Sequence, residues 1–141
     1  MIIKPVGHQH ISQTWHLIEK YIVESQQYGG GDYNSEHVKV YLTTGQWMLV
    51  VAVDEQNVIH GAMTITFNNY PNYRVAFITA TGGKGIITKD SLSQLREILK
   101  GFGATKIRAA VRPSMERLLY RVGFFKRYTC LLYTSPSPRD S

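Results

Sequence analysis

The sequence predicts an α/β domain, a mixed β-sheet with helices on both faces, in the order β-α-α-β-β-β-α-β-α-β. Three observations carry that prediction. Between residues 46 and 80, three apolar runs are separated only by the polar turns Asp54-Glu55-Gln56-Asn57 and Asn68-Asn69-Tyr70-Pro71-Asn72, the pattern of successive hairpin strands. After residue 80, helical periodicity alternates with strand patterns, which requires crossovers and so puts helices on the sheet. The chain has 141 residues, 43% hydrophobic and 18% charged, enough for one domain with a substantial core.

In chain order, residues 1–5 begin a short strand. From residue 9 to 25, Ile11, Trp15, Ile18 and Ile22 recur at helical spacing, with Leu17, Tyr21 and Val23 beside them. Gly29, Gly30 and Gly31 then break the helix with a loop. Asn34-Ser35-Glu36 reads as a helix start, Val38, Tyr41 and Leu42 as one side of a short helix, and Gly45 as its stop. Residues 46–53, QWMLVVAV, are too continuously apolar for a surface strand and predict a central one. Residues 58–67 predict the next strand, with Gly61 marking a bulge.

Residues 73–99 are the most informative stretch. Val75, Phe77, Ile78 and Ala80 predict a buried strand; Gly82, Gly83 and Gly85 follow at once, where a chain leaving a strand needs unusual dihedrals or close backbone approach. Thr88 or Asp90 caps a helix whose apolar face is Leu92, Leu95, Ile98 and Leu99. A helix N-terminus behind a glycine turn presents N–H groups and a positive dipole end, which suits an anion such as phosphate; the same arrangement is also ordinary α/β construction. Residues 106–111 predict a further strand. Pro113 opens a helix carrying Met115, Leu118, Leu119 and Val122, Gly123 ends it, and residues 124–129 start a last strand.

The net charge of +6 favours anionic partners. The basic residues, Lys84, Lys89, Arg96, Lys100, Lys106 and Arg108 among them, are scattered along the sequence rather than clustered, so nucleic acid is disfavoured as a partner. No apolar run reaches the ~20 residues of a membrane span, and the start lacks a signal-peptide pattern, so the expected location is cytoplasmic. His8 and His10, at i, i+2 with no further ligands, predict no metal site. Neither an elbow serine with its partners nor a Walker loop is present.

Residues 130–141, CLLYTSPSPRDS, resemble the in-frame translation of a sequencing adapter. On that resemblance the domain is expected to span residues 1–129, truncated within its last strand, with residues 130–141 as a non-native tail that contains the single cysteine.

The segment Leu119-Tyr120-Arg121-Val122-Gly123-Phe124 resembles the helix-plus-GF signature of the GCN5-related N-acetyltransferase (GNAT) fold, and the order of elements from residue 1 to 129 is similar. The loop Ile-Thr-Ala-Thr-Gly-Gly, paired with Arg-Pro-x-x-x-Arg-Leu-Leu, is similar to small GNAT-like proteins of tailed bacteriophages. The resemblance implies an enzyme that moves an acetyl group from acetyl-CoA, as cosubstrate, to an amine acceptor. It implies that Ile78, Thr79 and Ala80 offer a strand edge to the pantetheine. Gly82, Gly83, Lys84, Gly85 and Ile86 would form the pyrophosphate loop, and Tyr120 would be the general acid for the leaving thiolate. His60, Glu36 and Asp32 are the candidates for a general base. Expected partners are the acceptor and either a second copy of the chain or a phage or host protein. The sequence departs from the family pattern by lacking a basic first loop position and a carboxylate on residues 73–80, and by having Arg112 where asparagine is common. Those departures imply the alternative, a non-catalytic phage accessory or virion-associated protein.

Overall fold

The structure, a computed structural model, describes residues 1–26, 34–84, 86–110, 119–121, 125–127 and 130–134, with residues 26, 110, 125–127 and 130–134 described by backbone alone. The strands are β1 (Ile2–Val6), β2 (Met48–Val53), β3 (Ile59–Asn69), β4 (Arg74–Gly83), β5 (Lys106–Ala110), β6 (Phe125–Arg127) and β7 (Cys130–Thr134); the helices are α1 (Ile11–Gln26), α2 (Ser35–Thr43) and α3 (Lys89–Gly101). Residues 119–121 are also helical. All strands join one sheet in the order β1-β2-β3-β4-β5-β7-β6. β4 and β5 are parallel, and the other pairs are antiparallel. The parallel pair needs a crossover, which α3 supplies.

The predicted mixed sheet is therefore present, with one strand more than the sequence pattern showed. Residues 130–134, expected to lie outside the domain, form β7 between β5 and β6, from Lys106↔Thr134 to Ala110↔Cys130. Cys-Leu-Leu-Tyr-Thr is a run of strand-forming residues, and beside β5 it satisfies the backbone groups of an otherwise open edge.

The sheet separates two cores. Along β2 the side chains alternate: Leu49, Val51 and Val53 pack with α1 and α2 residues Ile11, Ile18, Ile22, Val38 and Leu42, whereas Val50 and Ala52 pack on the side of α3, with Leu92, Leu95 and Leu99. That two-sided burial explains the unbroken apolar run at this point of the sequence. Fully burying an aliphatic side chain contributes about 1.5–3 kcal/mol, and Ile18, Ile22, Leu42 and Leu99 are all at 0% exposure. Helix starts follow the sequence signals: Asn34 caps α2 and Thr88 caps α3, each by a reciprocal box with the residue at the third helical position, His37 and Ser91. Among the described residues, no helix is long and apolar enough to cross a membrane.

Candidate functional site

Between Thr64 and Ile65 of β3, the register with β4 shifts: Thr64 faces Ala80 while Ile65 faces Ile78. Thr79 is thus an extra residue, a bulge. A bulge resets the alternation of a strand, and the packing shows it. Ala76 and Ile78 lie in the α3-side core, but Ala80, two residues further on, packs with the α1–α2 core. The Thr79 hydroxyl closes the bulge, lying 2.8 Å from Thr64 Oγ1 and donating to the Thr64 carbonyl at 3.1 Å. Thr64 itself is fully buried, so this pairing satisfies a hydroxyl that would otherwise be costly inside the sheet.

The bulge also marks where β4 leaves β5. Their ladder runs from Val75↔Lys106 to Ile78↔Ala109 and then stops, whereas β4 continues through Thr79 to Gly83. Among the described residues, this last part of β4 is paired on its β3 side only. The result is a V-shaped opening whose β4 arm presents backbone groups. On the α3 side its base is filled by Ile78, Ile107, Ala109 and Leu119. Ile78, expected at the open edge, is the last residue of the ladder; Thr79 and Ala80 lie beyond it.

The glycines after this edge have a packing reason of their own. A Cβ on Gly82 would lie 2.0 Å from the Tyr21 carbonyl oxygen, and one on Gly83 would lie 2.3 Å from the His60 carbonyl oxygen. Gly83 also has φ +90, in the region that favours glycine. α1 can lie against the end of β4 only because side chains are missing there. The Lys84 amide donates to the His60 carbonyl at 2.9 Å, while the Lys84 side chain is exposed. Ile86 is buried, and its carbonyl accepts a hydrogen bond from Ser91 Oγ at 2.8 Å. The Thr88 and Ser91 amides are taken by the capping box. The turn therefore offers an anion a narrower cradle than its glycine content implies. Gly85 lies outside the described residues.

His60 is the extra residue of a second bulge, where Ala52 faces Gly61 and Val53 faces Ile59. The bulge expected at Gly61 thus falls one residue earlier. His60 Nε2 lies 2.7 Å from Asp54 Oδ2. That hydrogen bond, with those from the Val58 and Gln56 amides, holds the Asp54 carboxyl below its usual range. The pair lies away from the start of the opening, since His60 and Thr64 are four residues apart on β3, about 13 Å at ~3.3 Å per residue, and next to the far end of the β4 arm, where Gly61 pairs with Gly83. Glu36 sits exposed in the first turn of α2, where it complements the helix dipole. Leu119 is buried in the α3-side core, and the adjacent Tyr120 is 45% exposed, so this helical turn lies on the same face as α3. Asp32, Gly29–Gly31, Arg112, Pro113 and Gly123 lie outside the described residues.

Sequence reasoning missed the Thr64–Thr79 clip and the Asp54 partner of His60. For the first the sequence shows only threonines within apolar strand runs, Thr64 and Thr66 on β3 and Thr79 and Thr81 on β4, and nothing in it says which of them pair; the second had the spacing of an aspartate and a histidine across a hairpin turn.

No protein-family model matches the sequence, and no curated protein matches it. Solved structures do. The Tetrahymena GCN5 structure superposes with TM-score 0.68 at 11% identity, covering 100% of both chains. Aminoglycoside 6'-acetyltransferase type Ii gives 0.69 at 13% identity, covering 98% of this chain and 100% of that one. A predicted acetyltransferase with acetyl-CoA from Clostridium acetobutylicum gives 0.62 at 16% identity, covering 90% and 91%. With the strand order, the β4 bulge and the parting of β4 from β5, these likenesses establish that the chain has the GCN5-related N-acetyltransferase fold.

Proposed function

We propose that this protein transfers an acetyl group from acetyl-CoA to an amine acceptor. The observation that carries this reading is the five-residue arm of β4, Thr79 to Gly83, that continues past the last β5 pair at Ile78. Such an arm suits an extended amide-containing chain, which adds to it as a strand would. The pantetheine portion of the cosubstrate is such a chain, and the Clostridium acetobutylicum neighbour was solved with acetyl-CoA.

In this reading Thr79 and Ala80 bind the pantetheine, and a backbone N–H near Ile78 polarises the thioester carbonyl. Gly82, Gly83 and Ile86 line the pyrophosphate turn, to which the sequence resemblance also assigns Gly85, and the exposed Lys84 ammonium supplies the countercharge. The neutral amine attacks the carbonyl carbon. As the N–C bond forms and the C–S bond breaks, Tyr120 gives its phenolic proton to the sulfur, the nitrogen releases one to water, and the phenolate regains its proton from water. His60 and Glu36, one paired with Asp54 and the other at the start of α2, take no part in that step.

The test is thiol release from acetyl-CoA with a panel of small amines, for wild type and Tyr120→Phe. Amine-dependent release with kcat about a hundredfold lower in Tyr120→Phe, at unchanged KM for acetyl-CoA, supports the reading. Failure to bind acetyl-CoA, or equal rates in the two proteins, refutes the cosubstrate or the role of Tyr120 respectively.

A further inference from the structure

The basic residues that are scattered in sequence are not all scattered in space. Ile107 and Ala109 of β5 face the α3-side core, so alternation puts Lys106, Arg108 and their β4 neighbours Val75 and Phe77 on the opposite face. Lys106 Nζ lies 4.1 Å from the centre of the Tyr73 ring, which fixes it on that face. Arg108 is the register partner of Phe77, two residues before the Thr79 bulge. One strand spacing across and two residues along put the Arg108 and Thr79 backbones roughly 8 Å apart.

This strip leads to the opening between β4 and β5. On the α3 side the base of the opening is closed by Ile78, Ile107, Ala109 and Leu119. Arg108 thus lies on the face of the opening opposite this packed core. Both side chains are half-buried. Among the described residues, neither forms an ion pair. β5 itself, Lys-Ile-Arg-Ala-Ala, carries two cations and no carboxylate.

We propose that the acceptor is an amine carrying an anionic group, a carboxylate or a phosphate, which Arg108 binds on this face while the amine reaches the thioester, with Lys106, two residues further along β5 from the opening, adding to the positive field. This rests on the acetyl-transfer reading above. A guanidinium presents paired donors that match either anion, and the partly buried setting makes the interaction stronger than at an open surface. Polycationic acceptors, aminoglycosides included, are repelled by the same pair even though an aminoglycoside acetyltransferase shares the fold.

The experiment compares four amines of similar size: O-phosphoethanolamine, β-alanine, ethanolamine and ethylenediamine. Initial rates of acetyl transfer are measured with each, and the Kd of acetyl-CoA is measured separately by calorimetry. The expected result is a kcat/KM at least about tenfold higher for the anionic amines than for the neutral or dicationic one. Arg108→Gln should cut that preference about tenfold without changing the Kd of acetyl-CoA; Arg108→Met, which keeps the length of the stem but removes the charge, provides a second variant should the first lose its cooperative melting. The two anionic arms separate a phosphate site from a carboxylate site. Equal or faster transfer to ethylenediamine, a preference unaffected by both variants, or binding of acetyl-CoA with no transfer to either anionic amine would overturn the proposal. Absence of acetyl-CoA binding would instead overturn the transfer reading on which it rests.

Discussion

Gly82→Ala is the substitution on which this structure makes its most quantitative statement. The new Cβ would lie 2.0 Å from the Tyr21 carbonyl oxygen, 2.7 Å from its carbon and 2.9 Å from its Cα. None of these atoms belongs to a flexible side chain, so relief requires α1 to move off β4. α1 is anchored by Ile18 and Ile22, both at 0% exposure, and by the Tyr21 hydroxyl on the Ile59 carbonyl at 3.0 Å. Overpacking in cores costs about 1–3 kcal/mol, and a backbone obstruction with an anchored helix belongs at the top of that range, about 3 kcal/mol. At roughly 3–4 °C per kcal/mol for a chain of this size, the midpoint falls by about 10 °C. Gly101→Ala provides the control. It ends α3 with nothing within 4 Å of its added Cβ, so it should be neutral or stabilising by up to about 1 kcal/mol. Urea and thermal melts of both variants read the difference. If Gly82→Ala melts within 2 °C of wild type, α1 does not lie against β4 as described, and the packing reason for the glycine pair fails.

Other consequences follow from the same geometry. Ser91→Ala removes a hydroxyl that accepts from the Thr88 amide at 2.8 Å and donates to the Ile86 carbonyl at 2.8 Å; a loss of about 1–2 kcal/mol by urea denaturation is expected. Thr64→Val keeps the shape but deletes one hydroxyl of the bulge clip, and should cost about 1 kcal/mol in the same assay. The depressed pKa of Asp54 makes its contribution to stability present above the unfolded-state value and lost as pH falls through the folded one. The stability gap between wild type and Asp54→Asn, followed by melts from pH 7 downward, should therefore be constant near neutrality and close in the acid range. A gap that widens on acidification would contradict the Asp54–His60 arrangement.

What was legible in the sequence was what periodicity and turn chemistry encode. The capping residues Asn34 and Thr88, the two-sided burial of β2 and the face of α3 formed by Leu92, Leu95 and Leu99 all appear where the pattern put them. The bulges were harder to read. Gly61 drew attention to the first, but the inserted residue is His60, because a bulge is defined by pairing between strands and no single strand records its partner's register. The insertion at Thr79 left no local mark, although it decides where β4 departs from β5. Gly82 and Gly83 were correctly singled out as requiring a backbone without side chains. The neighbour of Gly82, however, is α1, some sixty residues earlier in the chain, and that of Gly83 is β3 at His60 and Gly61; neither contact could be inferred from the turn alone. β7 went unread because its residues were set aside as a tail, although their composition is that of a strand.

The measurement that bears most directly on the central claim is an amide chemical-shift titration of the full chain with acetyl-CoA. The account predicts saturable shifts, with a Kd on the order of micromolar, at Thr79, Ala80 and Thr81 and at Lys84 in the following turn, with the outer face of α1 around His16, Lys20 and Val23 unchanged. Shifts confined to α1 or to the Asp54–His60 turn, or no shifts from a chain that melts cooperatively, would contradict it.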